Sequence, residues 1–190
     1  MRFGITALPS CMVLCLIFPA QAPPWRAAQG GTDPQGIEWT RDRKLQWRDF
    51  AMKAPAGSSD DCHSWVGFDT VWTCDRSGFV FQVRTTFNPS QSWVRPGSQD
   101  DSLLRHEQMH FDLTELVARQ LRKRLGGLSD PCRSSVMMSE IDRVIATQRQ
   151  SWEQEQKLYD RETANGTNEI RQRYWDRTTQ QRLDELRGFE

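Results

Sequence analysis

The pattern of hydrophobic and polar positions divides the chain into two halves. Across residues 39–93, apolar and polar residues alternate in short runs that are separated by turn residues. A period of two is typical of strands with one buried face, and residues 75–78 have the composition of a hairpin turn. The first half of the chain therefore predicts a small antiparallel sheet.

In the second half, the apolar positions recur every three or four residues, which is the period of an α-helix. The first predicted helix begins near Asp100 and ends at the glycine pair 126–127, a length of about six turns. The second begins after residues 130–131 and ends near residues 165–166, and the third begins at Asn168. These elements predict an α+β fold, in which a small antiparallel sheet in the N-terminal half packs against one long helix and two further C-terminal helices.

The N-terminal segment differs from both halves. Residues 1–22 have the features of a signal peptide, with an early Arg2 and an apolar run over residues 11–18. That run is shorter than the roughly 20 residues that span a bilayer, so the mature chain is predicted to have no transmembrane segment and to be secreted or periplasmic. Residues 23–36 are rich in Pro, Gly and Gln and predict a flexible linker, which leaves residues 37–190 as a single domain.

Composition narrows the class of protein. The 190 residues carry 25 Lys and Arg against 25 Asp and Glu, and this zero net charge argues against a basic nucleic-acid binder. The mean hydropathy of −0.72 is polar, yet the chain has eight tryptophans and nine phenylalanines to fill a core. Burial is the default expectation for seven tryptophans, and some of them are candidates to line a substrate groove beside the sheet edge: Trp39, Trp47, Trp65, Trp72, Trp93, Trp152 and Trp175. The sequence does not indicate an oligomeric state.

Three cysteines remain after the predicted leader is removed. Cys62 and Cys74 flank a predicted strand and turn, so we expect a local disulfide between them in an oxidising compartment, with Cys132 left free. A zinc site made of these cysteines is disfavoured because the chain has no C-x-x-C pair.

The first predicted helix contains an H-E-x-x-H motif, His106-Glu107-Gln108-Met109-His110. Positions four residues apart project from one face of a helix, so both imidazoles can bind one Zn²⁺ ion. Glu107 lies beside them, where its carboxylate can accept a proton from a zinc-bound water. The chain has only three histidines, so two of them at this spacing in a helix are a strong signal for a metal site.

A catalytic zinc ion usually has three protein ligands and one open position. Leu113 and Leu116 exclude the extended motif that would supply a third histidine from the same helix. The remaining histidine, His63, lies in the predicted sheet. The second predicted helix offers three acids instead: Glu155, Asp160 and Glu162. The residues alone leave the third ligand open among these four.

Four segments of the chain match motifs of a known family: residues 45–50 (LQWRDF), 106–113 (HEQMHFDL), 159–163 (YDRET) and 172–175 (QRYW). Together they resemble an uncharacterised bacterial family of predicted secreted zinc-dependent proteases, over roughly residues 37–186. The resemblance implies that residues 37–190 form a zincin-like metallopeptidase domain. The activity assigned to that family is itself inferred largely from the H-E-x-x-H motif.

The resemblance also bears on the third ligand. In that family the YDxxT segment generally continues into a His-Gly pair, where this chain has Asn165-Gly166. Asparagine is a poor zinc ligand compared with histidine. The resemblance therefore implies that Asp160, which belongs to the shared motif, completes the site, with Glu162 as the second choice.

Three further residues have predicted roles around the metal ligands. Glu107 is the predicted general base. Tyr159 is a candidate donor of a hydrogen bond to the oxyanion of the reaction, although a tyrosine at this spacing more often packs in the core. Asp112 is a candidate acceptor for the second ring N–H of a ligand histidine.

The leading prediction is a secreted or periplasmic metallopeptidase, in which Zn²⁺ is held by His106, His110 and Asp160 and peptide or protein is the substrate. One alternative is a catalytically inactive relative that serves as an envelope-associated module for binding zinc or peptides, suggested by Asn165. Another is a purely structural zinc ion that holds the first two helices together.

Overall fold

Strands come first and helices follow, as the periodicity predicts. The computed structural model describes residues 36–76 and 78–190. Their elements are β1 (Ile37–Glu38), β2 (Cys62–His63), β3 (Val66–Asp75), β4 (Gly78–Phe87), β5 (Trp93–Val94), α1 (Asp101–Gly126), α2 (Ser135–Thr163) and α3 (Glu169–Glu185). The α+β prediction is confirmed. The predicted signal peptide, 1–22, and all but the last residue of the predicted linker, 23–36, lie outside the described residues.

Two small antiparallel sheets make up the β half. In the larger sheet, β4 lies between β1 and β3, and the β3–β4 pair runs in register from Val66 opposite Phe87 to Asp75 opposite Gly78. Gly78 has a φ of +105°, a conformation that glycine adopts without strain, so the predicted hairpin turn is confirmed. The smaller sheet pairs β2 with β5.

Helix α1 is the centre of the core. Its N-terminus is capped by Asp100, whose carboxylate accepts hydrogen bonds from the backbone N–H groups of Ser102 and Leu103, each at 2.9 Å. The helix packs on β3 and β4 and also on α2 and α3. Because it is covered from several sides, seven of its apolar side chains have no exposed surface: Phe111, Leu113, Leu116, Val117, Ala118, Leu121 and Leu125. Among the described helices, none has a segment long and apolar enough to cross a membrane.

The start of α2 differs from the prediction. We expected it to begin just after residues 130–131, but it begins at Ser135, and Ser134 is the N-cap residue. Asp130 has a left-handed backbone with φ +47°, and Cys132 forms a disulfide with a residue of β3. The segment therefore turns before the helix can begin. The predicted end is close, because α2 ends at Thr163.

The disulfide joins Cys74 to Cys132, so the expected Cys62–Cys74 bond is wrong. Strand β3 is extended, and a rise of about 3.3 Å per residue carries Cys74 roughly 25 Å from Val66, beyond the reach of Cys62. The loop between α1 and α2 brings Cys132 to that far end of the hairpin. Cys62 is the free cysteine of the described residues.

Candidate metal centre

Two histidines of α1 face each other across one helical turn. His106 and His110 leave the same side of the helix because they are four residues apart. Nε2 of His106 lies 3.2 Å from Nε2 of His110. His106 is buried and His110 is partly buried. The helix thus directs two nitrogen donors toward one point.

Asp160, in the last turn of α2, provides a third donor. Its Oδ1 lies 3.3 Å from Nε2 of His106 and 2.8 Å from Nε2 of His110. Donor atoms placed tetrahedrally around one zinc ion at about 2.0–2.1 Å are about 3.3 Å apart, so the observed triangle has the right size. This Oδ1 is buried and has no hydrogen-bond partner apart from the two histidines. His106, His110 and Asp160 therefore form a group that can hold a metal ion.

The other candidate ligands have different surroundings. Glu155 forms an ion pair with Arg182 at 2.5 Å. Glu162 accepts a hydrogen bond from Nε1 of Trp175 at 2.9 Å and also pairs with an arginine of α3. His63 lies outside the ligand group, on the exposed side of β2. Of the four residues that the sequence left open, the structure brings only Asp160 to the two histidines.

Asp160 and His110 each stabilise the charged form of the other and so shift each other's pKa. Burial would raise the pKa of Asp160, but the hydrogen bonds and positive charges of the two imidazoles outweigh it and hold this pKa well below its usual range. Burial would likewise lower the pKa of His110, but the hydrogen bond to Asp160 and the charge of Glu107 raise it instead. Asp160 is therefore an ionised ligand at neutral pH.

A left-handed turn after α2 closes against His106. Residues 164–166 all have positive φ, ending with +84° at Gly166. A Cβ atom on Gly166 would lie 3.0 Å from both Cβ and Cγ of His106, which is too close for an ordinary contact. Gly166 thus permits both the turn and the close approach. Asn165 is exposed in the same turn and lines the same pocket as His106, His110 and Asp160.

Tyr159 is a packing residue, which corrects its predicted role at the oxyanion. Its side chain is fully buried, and its ring stacks on His106 with the centroids 4.7 Å apart. The hydroxyl donates to Oε1 of Gln172 at 2.7 Å. Burial strongly raises the pKa of Tyr159. Since the hydroxyl is used inside the core, it cannot reach a substrate.

Asp112 does not accept a hydrogen bond from a ligand histidine, and that prediction is wrong. Its Oδ1 accepts from Nε1 of Trp39 at 2.7 Å and from Nε2 of Gln108 at 2.8 Å. Asp112 is only two residues from His110, so the helical rotation carries it to the opposite side of α1. The partner of His110 is instead Gln156 of α2, whose Oε1 lies 2.5 Å from Nδ1 of His110.

Glu107 is buried beside the ligands and is held by residues around β2. It is 6% exposed. The hydroxyl of Ser64 donates a hydrogen bond to its Oε2, and Cys62 lies close enough to the carboxylate for its charge to act on the thiol. Ser64 thus holds a buried carboxylate next to the candidate metal ligands.

The centre opens into a cleft of about 700 Å³, a size typical of small-molecule and peptide sites. One wall is the segment 59–66, which includes β2, and the other wall comes from α1 and α2. Glu107 and the three ligands all line the cleft. Trp65 also lines it and is 52% exposed, so its predicted burial is wrong. A solvent-open cleft therefore leads directly to the metal ligands.

The thiol of Cys62 provides a test of this geometry. Burial raises its pKa strongly, and the negative charge of Glu107 raises it further. Because the thiolate is the reactive form, we expect iodoacetamide to modify Cys62 at least about tenfold more slowly in the native protein than in urea. Glu107→Gln removes the nearby charge and should speed the native reaction. Equal rates in native and unfolded protein, measured by mass spectrometry, would contradict the contact.

Sequence reasoning missed three residues around the site: Ser64, Cys62 and Gln156. A signal existed for Gln156, because it lies four residues before Asp160 and hence on the same face of α2. Ser64 and Cys62 carry no local signal. They reach Glu107 only because β2 pairs with β5 and lies beside α1.

Part of the chain is similar to a known protein family. Residues 74–166 match a family described as "Bacterial protein of unknown function (DUF922)". The match covers just under half of the 190 residues and includes all three ligands and Glu107. No curated protein and no solved structure matches the chain. Between Cys74 and Gly166, the chain is thus similar to a bacterial family of unknown function, in agreement with the resemblance to an uncharacterised bacterial family.

Proposed function

We propose that this protein is a zinc-dependent peptidase that acts outside the cytoplasm, as a secreted or periplasmic enzyme. One observation carries the proposal: three ligand atoms at zinc-like spacing lie beside the buried carboxylate of Glu107 and line an open cleft. The predicted signal peptide supports the location, and the zincin-like fold is part of the proposal.

The chemistry of the donors favours zinc. Two imidazole nitrogens and one carboxylate oxygen are a common ligand set of catalytic zinc ions, whereas calcium and magnesium prefer oxygen ligands throughout. When bound, zinc polarises a carbonyl group and brings the pKa of a coordinated water to about 7. Three protein ligands leave a fourth position, and the ligands line the cleft. This favours a catalytic over a purely structural role.

Glu107 is the group that moves protons in this proposal. As a carboxylate it takes a proton from the attacking water and then delivers it to the amine that leaves when the peptide bond breaks. A hydrogen bond from Ser64 holds the carboxylate in place, so little reorganisation is needed before reaction.

The neighbouring wall suits an extended peptide. Arg95 N–H donates to the carbonyl of Asp61 at 2.7 Å, and His63 is paired with Trp93. Since successive residues of a strand alternate their hydrogen-bonding direction, the N–H and C=O of Cys62 are directed away from β5. A peptide can add to such an edge as a further strand, which supports peptides and unfolded proteins as the substrate class.

The inactive binding module has less support. It was suggested by Asn165, which stands where the resembled family has a histidine. Asp160 already lies within 3.3 Å of both histidine nitrogens and supplies the third donor. These distances favour a metal site that does not need Asn165 as a ligand.

Metal removal tests the proposed function. We expect the purified protein to contain about one zinc ion per chain and to hydrolyse casein or a quenched fluorescent peptide library. A chelator should abolish hydrolysis and added Zn²⁺ should restore it. The Asp160→Asn variant, which removes the ligand charge at almost constant volume, should bind zinc about a hundredfold more weakly or worse, because each ligand contributes roughly 3 kcal/mol.

Element analysis and circular dichroism complete this test. A wild-type protein without stoichiometric zinc, or with hydrolysis that survives chelation, would refute the proposal. If chelation unfolded the domain and no peptide were cleaved under any condition, the zinc would be structural.

A further inference from the structure

Gln156 joins the ligand His110 to the body of the fold. Its Oε1 lies 2.5 Å from Nδ1 of His110, and its Nε2 lies 3.1 Å from the carbonyl oxygen of His110 and 3.0 Å from Oγ1 of Thr114. His110 and Thr114 are one turn apart on α1, whereas Gln156 comes from α2. One carboxamide therefore contacts the ring and the backbone of the same residue.

The neighbouring hydrogen-bond donors and acceptors determine which end of the Gln156 carboxamide is the oxygen and which is the NH₂ group. Thr114 has one hydroxyl proton, which it donates to the carbonyl oxygen of His110 at 2.7 Å. Its Oγ1 then acts only as an acceptor, toward Nε1 of Trp152 at 3.0 Å and toward Gln156. Because both atoms facing one end of the Gln156 carboxamide are acceptors, that end must be the NH₂ group. The carbonyl end must face His110.

A carbonyl oxygen can only accept, so Nδ1 of His110 carries a proton. With its proton on Nδ1, His110 has Nε2 left to bind a metal ion. This Nε2 is the atom directed at Asp160 and at Nε2 of His106. In the metal-free protein Nε2 donates a hydrogen bond to the carboxylate of Asp160 at 2.8 Å, and a bound metal ion would replace that proton while Nδ1 stays bonded to Gln156.

We propose that Gln156 is a positioning residue that fixes His110 in the tautomer required for metal binding. The inference rests on the proposed metal site and adds a residue that orients one of its three ligands, His110. His106 is held differently: its Nδ1 is buried without a hydrogen-bond partner, and its ring is stacked on Tyr159. Loss of Gln156 should consequently remove the partner of Nδ1 of His110 and leave the surroundings of Nδ1 of His106 unchanged.

The first test reads the Nδ1 proton of His110 in the zinc-loaded protein. Long-range ¹H–¹⁵N spectra should show His110 protonated at Nδ1, with slow exchange of this proton with solvent. In Gln156→Met, which keeps the side-chain length without an acceptor, the proton should exchange at least about tenfold faster. Gln156→Glu retains an acceptor and should keep the slow exchange. Gln154→Met, at an exposed position on the same helix, should leave the spectrum unchanged.

The second test measures zinc affinity by competition with a chelating dye. Gln156→Met should weaken binding by about tenfold to a hundredfold, the usual effect of removing the partner of a ligand histidine, while Gln156→Glu should stay within about tenfold of the wild type. Gln154→Met should not change it. A general loss of structure would instead alter the signals of His106 and His63 as well.

The outcomes separate this inference from the proposed function. A wild-type His110 without a slowly exchanging Nδ1 proton, or a Gln156→Met protein with unchanged proton exchange and zinc affinity, overturns the positioning role even if peptides are cleaved. A wild-type protein that binds no zinc refutes the proposed metal site and, with it, a role of Gln156 in metal binding.

Discussion

Glu107→Gln is expected to lower kcat/KM for peptide hydrolysis by about a hundredfold to ten-thousandfold, the range for loss of a general base. Glutamine has nearly the same volume and its amide oxygen can still accept the hydrogen bond from Ser64. It cannot take a proton from water, however, and it cannot return one to the leaving amine. Zinc content should stay at the wild-type level because the three ligands are unchanged.

The measurement is steady-state hydrolysis of a fluorescent peptide together with element analysis of the same sample. Glu153→Gln is a matched control, since it makes the same chemical change at an exposed position of α2. The control should retain wild-type hydrolysis. Normal cleavage by Glu107→Gln would exclude Glu107 as the base and, if chelation also unfolded the domain, would favour a structural metal.

Removing the Cys74–Cys132 disulfide should lower the free energy of unfolding by about 4 kcal/mol, or about a thousandfold in the unfolding equilibrium. The bond joins residues 58 positions apart, so it closes a long loop that restricts the unfolded chain. It also ties the end of the β3–β4 hairpin to the connection between α1 and α2. The Cys74→Ala/Cys132→Ala double variant should show this loss in urea denaturation.

The Cys62→Ala variant distinguishes the Cys74–Cys132 bond of the structure from the Cys62–Cys74 bond that the sequence predicted. Its unfolding free energy should fall by much less, about 1 kcal/mol, because the residue is only partly buried and forms no covalent bond. Mass spectrometry of the unreduced wild type should find one alkylatable thiol among residues 62, 74 and 132, at Cys62. A large destabilisation by Cys62→Ala and none by the double variant would contradict the described pairing.

Local patterns along the chain predicted most of the elements. The hairpin at residues 75–78, the cap at Asp100 and the start of α3 after Asn168 all depend on a few neighbouring residues, and each is present. The start of α2 was misplaced because Asp130 and the following proline mimic a helix start. Their backbone is governed instead by a disulfide to a residue 58 positions away.

Tertiary packing determined what the periodicity left undecided. Asp112 and Tyr159 were candidates for roles at the site, but one bonds to Trp39 and the other is buried in the core, as its spacing favoured. Trp65 has the same alternation as buried residues, yet it lies at the cleft, where no second layer covers it.

The sequence by itself determined the helix α1 and the pairing of His106 with His110, because a helical period of 3.6 residues places positions four apart on one face whatever surrounds them. The residues alone left four candidate third ligands and the family resemblance favoured Asp160, but only the tertiary structure placed Asp160 against both histidines and gave His110 and Glu107 their hydrogen-bond partners. Those choices depend on how α2 and β2 pack against α1, and packing between distant segments leaves no period in the sequence.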